Sequence, residues 1–199
     1  SCSGTQTGHD PFVYEHSLGL ITSGSMEVYT EDGLVSYPAG TMSLVKRHQL
    51  LKVIKQPDGQ KPFASINIFL DQETLKKYSL EHNIHANGIY VGEPNVLLEN
   101  DEFLKGYFNS LMPYFAQPEK LSPTLAHLKT NEAIELLLRK PALKNFLFDF
   151  SEPHKIDLEA YMNRHFSYNI PLEKFAKLTG RSLSTFKRDF AKIYNTTPE

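Results

Sequence analysis

The stretch PLEKFAKLTGRSLSTFKRDF, running from Pro171 to Phe190, is the most informative in the chain. Leu172, Phe175, Ala176 and Leu178 recur at helical spacing, Asn169-Ile170-Pro171 is placed to cap that helix, and the run stops at Thr179-Gly180. Glycine takes positive φ without a steric penalty, so Gly180 allows the chain to reverse. Ser182 then stands where a hydroxyl can accept from the first amides of a new helix. In that helix Leu183, Phe186, Phe190 and Ile193 share the inward face. Just upstream, Leu158, Tyr161, Met162, His165 and Phe166 give an apolar stripe to a preceding helix. The spacing predicts three short helices, the last two joined as a helix-turn-helix.

A helix anchored by Phe186 and Phe190 turns Ser184, Thr185, Lys187 and Arg188 outward, where they can enter a DNA major groove. Arg188 is suited to a bidentate contact with guanine O6 and N7, worth about 1–3 kcal/mol of discrimination. Lys187 and Ser184 can reach other base edges or phosphates, and Arg181, Ser182 and the helix N-terminus are expected to grip phosphate. The charge distribution agrees. The chain carries a net −2, yet residues 156–199 hold seven Lys or Arg against five Asp or Glu. Within 181–192, Arg181, Lys187, Arg188 and Lys192 face only Asp189. The same spacing also fits an ordinary three-helix packing unit with a solvated basic face. The Ala176–Gly180 spacing, the serine two residues later and the one-sided charge favour DNA.

Residues 156–199, with Tyr194-Asn195-Thr196-Thr197-Pro198-Glu199 after the stretch quoted above, resemble the first helix-turn-helix of AraC/XylS transcription regulators. The resemblance is carried by Ala176, Gly180, Ser182, Phe186, Phe190 and Thr197-Pro198. It implies that Ser184, Lys187 and Arg188 contact bases, and that the upstream part is a cupin-like regulatory barrel followed by helices that dimerise. The Pro38-Ala39-Gly40 turn before an apolar strand fits that picture. The helical stretch from Lys129 to Leu138 resembles the joint between halves in the subgroup that includes activators of type III secretion. AraC-type DNA-binding regions have two helix-turn-helix units joined by a long helix, and Thr197-Pro198-Glu199 has the chemistry of a helix start. The expectation is a truncated chain that binds DNA weakly and with a reduced salt slope.

Upstream, residues 13–70 read as strands. Met26 and Val28 alternate with Glu27 and Tyr29 before a Glu31-Asp32-Gly33 hairpin turn, Met42 to Ile54 carries Leu44, Val45, Leu50, Leu51, Val53 and Ile54, and Ile66, Ile68 and Leu70 alternate with Asn67 and Phe69. Helical grammar begins at Asp71, which caps a helix carrying Leu75, Tyr78 and Leu80. Phe103, Tyr107, Phe108, Leu111 and Tyr114 predict the inward face of a helix ending near Pro118. Leu125, Leu128, Ala133, Leu136 and Leu137 predict another between Ser122 and Arg139, and Pro141 starts a third through Phe150.

The chain therefore reads as α+β in four parts. These are a leader at 1–10, a cupin-like β-barrel with a regulatory role at 11–99, a helical linker and dimerisation segment at 100–153, and an incomplete helix-turn-helix DNA-binding unit at 154–199. The boundary falls at Ser151-Glu152-Pro153.

Enzymatic classes find little support. The eight histidines are scattered, and His48, His82 and His85 lack the partners of a metal site, so neither metal nor cofactor is expected. The single cysteine, Cys2, excludes an intrachain disulfide, and no phosphate loop or nucleophile elbow appears. Tyr14, Tyr29, Tyr37, Phe63 and Phe69 are expected in the core, although they could line a pocket. The reading is a cytoplasmic, homodimeric activator that binds promoter DNA and senses a small molecule or a regulatory protein, without membrane contact. The alternative is a cupin module that binds a small molecule or protein and no DNA.

Overall fold

A computed structural model describes residues 12–30, 33–98, 101–151 and 155–198. The expected leader, Glu31 and Asp32 of the hairpin turn, the break at Glu152-Pro153 and the final Glu199 lie outside the described residues.

Residues 12–98 form antiparallel strands in three sheets. The largest has the order β8-β2-β5-β9, built from Ala64–Leu70, His16–Ser23, Met42–Val45 and Asn95–Leu97. The second has the order β4-β3-β7, from Gly33–Pro38, Ser25–Thr30 and Val53–Gln56. The third pairs β1, Phe12–Val13, with β6, Gln49–Leu50. The hairpin read at Gly33 is present, since Thr30 pairs with Gly33 across it.

Alternation decides which face of the large sheet is dry. Leu18 stands opposite Leu44 and Ile68, and Leu20 opposite Met42 and Ile66. These residues and Leu70 form one apolar face, as the period of two in the sequence requires. Four helices cover it: α1 (Gln72–His82), α2 (Glu102–Ala116), α3 (Pro123–Leu138) and α4 (Ala142–Phe148). Asp71 and Ser122 cap α1 and α3, accepting from the amides of Thr74 at 2.8 Å and Leu125 at 3.2 Å.

Met42 to Ile54 contributes to three strands in three different sheets, while the helices depart from two expectations. His48 breaks that stretch at φ 58°, a left-handed conformation that turns the chain, and its amide donates to Val13 O at 2.6 Å. The inward face of α2 is Leu104, Tyr107, Phe108 and Leu111, so Phe103 is rotated out and lies under the Arg139 guanidinium, 3.9 Å away. Leu125 and Leu128 of α3, and Leu80 of α1, are also exposed rather than inward; α3 buries Ala133, Ile134 and Leu137.

Residues 155–198 supply three more helices, α5 (Leu158–His165), α6 (Leu172–Leu178) and α7 (Leu183–Tyr194). Gly180 has φ 66° and reverses the chain between α6 and α7. Ser182 caps α7 by accepting from Thr185 N at 3.2 Å, whereas no side chain caps α6, which starts at Pro171 alone. Leu158, Met162, Ile170, Phe175, Leu178 and Phe186 form a core separate from the first. Ile193, expected inward, is exposed.

Candidate functional site

Phe186 is fully buried, which fixes the rotation of α7 and sends Ser184, Lys187 and Arg188 to solvent. The Arg188 side chain is 63% exposed and its Nε lies 3.6 Å from Asp189 Oδ1. Thr185 is half-buried, accepting from Ser182 Oγ at 2.9 Å, and Ser182 also lies 3.1 Å from Ser184 Oγ. The outward edge of α7 thus carries two cations and a hydroxyl one turn apart. That is the chemistry of a polyanion contact.

Arg181 departs from its expected role. Its side chain is only 7% exposed. Its Nη1 donates to Ile156 O at 2.9 Å and Thr179 O at 2.7 Å, and its Nε reaches Asp189 Oδ2 at 3.1 Å. Arg181 therefore locks the turn between α6 and α7 to the segment entering α5, so its guanidinium is engaged within the protein rather than presented to solvent. Asp189 also takes the Lys155 ammonium at 3.1 Å, and these two hydrogen bonds hold its carboxyl down at about 2. The signal in the sequence was Asp189 itself, the one acid in a basic stretch, two helical turns after Arg181.

A second candidate site lies on the opposite face of the large sheet. Ser17, Gly19, Ser43, Ser65 and Asn67 line a cavity of about 920 Å³ together with Met26, Val53 and Lys55 of the second sheet. Small residues keep this space open: a Cβ on Gly19 would stand 3.0 Å from Asn67 Oδ1. Tyr14, Tyr29, Phe63 and Phe69 line it as well, so these rings are not core as expected, while Tyr37 is not among the lining residues. Phe69 is 66% exposed. Lysines lie over the rings, Lys52 at 4.7 Å from the Tyr29 centroid and Lys55 at 5.5 Å from that of Phe63. Burial lowers the Lys55 pKa, and among the described residues no carboxylate pairs with it.

Among the described residues no three His, Cys, Asp or Glu side chains are grouped to hold a metal ion. His16 packs on Phe146, His82 stacks on Tyr78 and His165 stacks on Tyr161. No helix among the described residues is long and apolar enough to cross a membrane.

The family described as the ExsA N-terminal regulatory domain matches residues 16–148, from the start of β2 to the end of α4. The chain belongs to that family. Its sheets and first four helices are thus the N-terminal regulatory domain of an AraC-type transcription regulator. Helices α5–α7 lie beyond the matched residues. No curated protein matches the chain. Among solved structures, apo ToxT K231A from Vibrio cholerae is similar at 12% identity and a TM-score of 0.48, over 98% of this chain and 91% of that one. The AraC-like transcriptional activator CuxR is similar at 11% identity and a TM-score of 0.45, over 94% of this chain and 64% of that one.

Proposed function

We propose that this ExsA-type chain is a DNA-binding transcription regulator, an activator, whose cupin-like sheet cavity senses an effector and whose α5–α7 unit is a helix-turn-helix that reads a promoter. The observation that carries the reading is the outward edge of α7. Its exposed Lys187 and Arg188 sit beside Ser184 on a helix whose other face is pinned by Phe186. In a major groove, Arg188 pairs with guanine, Ser184 and Lys187 reach neighbouring bases or phosphates, and Ser182 with Thr185 and the α7 N-terminus meet the backbone. Neither catalysis nor a cofactor enters this reading, and a regulator of promoters works in the cytoplasm.

Equilibrium binding of the chain to a promoter duplex, titrated against salt, tests it. The affinity is expected to fall linearly on a log–log plot, and Lys187→Ala to flatten the slope by about one. Arg188→Ala should weaken cognate DNA about 5- to 150-fold while leaving random DNA much less affected, the range given by one lost bidentate contact of about 1–3 kcal/mol. Salt-independent or absent binding would favour the alternative, a ligand- or protein-binding cupin module without DNA contact.

A homodimer completes the proposal. Met112 and Phe115 of α2 and Leu125 and Leu128 of α3 are 37–62% exposed, an apolar patch on adjacent helices that a second copy would cover in an isologous contact. Sedimentation should give a dimer at micromolar concentration, and Leu128→Asp should give a monomer. A wild-type monomer at high concentration would remove this part of the proposal.

A further inference from the structure

Asp189 follows Arg188 directly on α7. Residues one apart on a helix do not face each other, yet the two oxygens of this carboxylate divide between inward and outward partners. Oδ2 accepts from Arg181 Nε and from the Lys155 ammonium, each at 3.1 Å, so the group is held from behind by the turn before α7 and by the segment entering α5. Oδ1 lies 3.6 Å from Arg188 Nε, a charge contact slightly longer than a hydrogen bond. The Asp189 side chain is 17% exposed and that of Arg188 63%. The acid is therefore the fixed member of the pair, and the arginine is the one that swings.

A guanidinium carries five N–H bonds in one plane, one on Nε and two on each Nη. With Nε turned toward Asp189, the edge that contains it is taken. The far edge remains, and the parallel N–H bonds of its two Nη atoms match O6 and N7 of guanine. An arginine without such a support can also offer the Nε edge, or swing to a phosphate. The carboxylate does not repel DNA, because Lys155, Arg181 and Arg188 surround it and leave the cluster net positive.

We infer that Asp189 is a positioning residue that buttresses Arg188 through Nε, so that Arg188 presents its Nη edge alone and the base it reads is restricted to guanine. The inference rests on the DNA-reading role proposed for α7.

The test uses the full chain and a pool of duplexes with a randomised core. Selection and sequencing should give the wild type a preferred sequence in which one guanine is lost in Arg188→Ala. In Asp189→Asn, preference for guanine at that position should fall at least about five-fold while the other positions keep theirs. Affinity for the unselected pool should stay the same or tighten, since an anion near the phosphates is gone. The double variant should discriminate as Arg188→Ala does alone, because Asp189 acts through Arg188. Asp189→Glu should recover part of the preference, and Lys155→Met, which leaves Oδ1 in place, should keep it. In the wild-type complex, nuclear Overhauser contacts to that guanine should come from the Arg188 Nη protons, a reading that needs no variant.

No preferred sequence for the wild type would overturn the DNA-reading role and this inference with it. A guanine that survives Asp189→Asn, or an Arg188 Nε proton seated on the base, would overturn the buttress alone. So would equal weakening on selected and unselected DNA, or additive losses in the double variant, since Asp189 would then support the fold rather than Arg188.

Discussion

Phe186→Ala is expected to melt α5–α7 selectively. Phe186 is fully buried, its ring stacked 6.4 Å from that of Phe175 and tilted 5.9 Å from that of Phe190, so it joins α6 to successive turns of α7. Truncating a buried phenylalanine costs about 3–5 kcal/mol. A unit of this size gains rarely more than about 3–5 kcal/mol from its own core. The loss therefore equals the whole margin. Calorimetry should show a new transition at low temperature for α5–α7, with the main transition of the regulatory domain little changed, and DNA binding should disappear. Conversely, Ile193→Ala should cost little, because Ile193 is exposed. An unchanged melting profile for Phe186→Ala would show that α7 is not held by this side chain.

The second large effect concerns acid. His16 is fully buried on β2, accepts from the Arg47 amide at Nδ1, and finds no partner for Nε2 among the described residues. Burial, with the Arg47 cation beside it, holds its pKa down at about 3. The sign follows. In the unfolded chain His16 takes a proton below its ordinary value of 6.5, whereas the folded chain refuses it until about 3. Its contribution to stability is complete above pH 6.5 and is lost as the pH falls toward 3, at about 1.4 kcal/mol per pH unit in the linear part. His48, also lowered to about 4 by burial, adds to the same slope with less weight because it is only half-buried. Urea unfolding between pH 7 and 4.5 should show this decline, and His16→Gln should make it shallower. An identical slope in His16→Gln would mean that another group carries the acid sensitivity.

What the sequence disclosed was the chemistry that acts within a few residues. Asp71, Ser122 and Ser182 cap helices where their neighbours ask for a cap, and Gly180 takes the positive φ that the reversal before α7 requires. The alternation in β8 sends Ile66, Ile68 and Leu70 to one face. What stayed hidden depends on partners far along the chain. Nothing local in Met42 to Ile54 says that its strands belong to different sheets; the left-handed turn at His48 and the distant strands β2, β1 and β3 divide it among three. β9 is three residues with no alternation of its own, recruited by β5. Arg181 and Arg188 are alike in sequence, and it is the carbonyls of Ile156 and Thr179 that draw the first inward. Tyr14, Tyr29, Phe63 and Phe69 have the composition of a core. The small side chains of Ser17, Ser43 and Ser65, and Gly19 with none, leave the space around them unfilled and make them the lining of a cavity instead.

The role assigned to α7 is most directly tested by recording backbone amide resonances of the chain as a promoter duplex is added. The largest shifts are expected on Ser182, Ser184, Thr185, Lys187 and Arg188, with Arg181 shifting little because its guanidinium is already engaged. Shifts that leave α7 untouched and gather on the sheets or on α2 and α3 would contradict it.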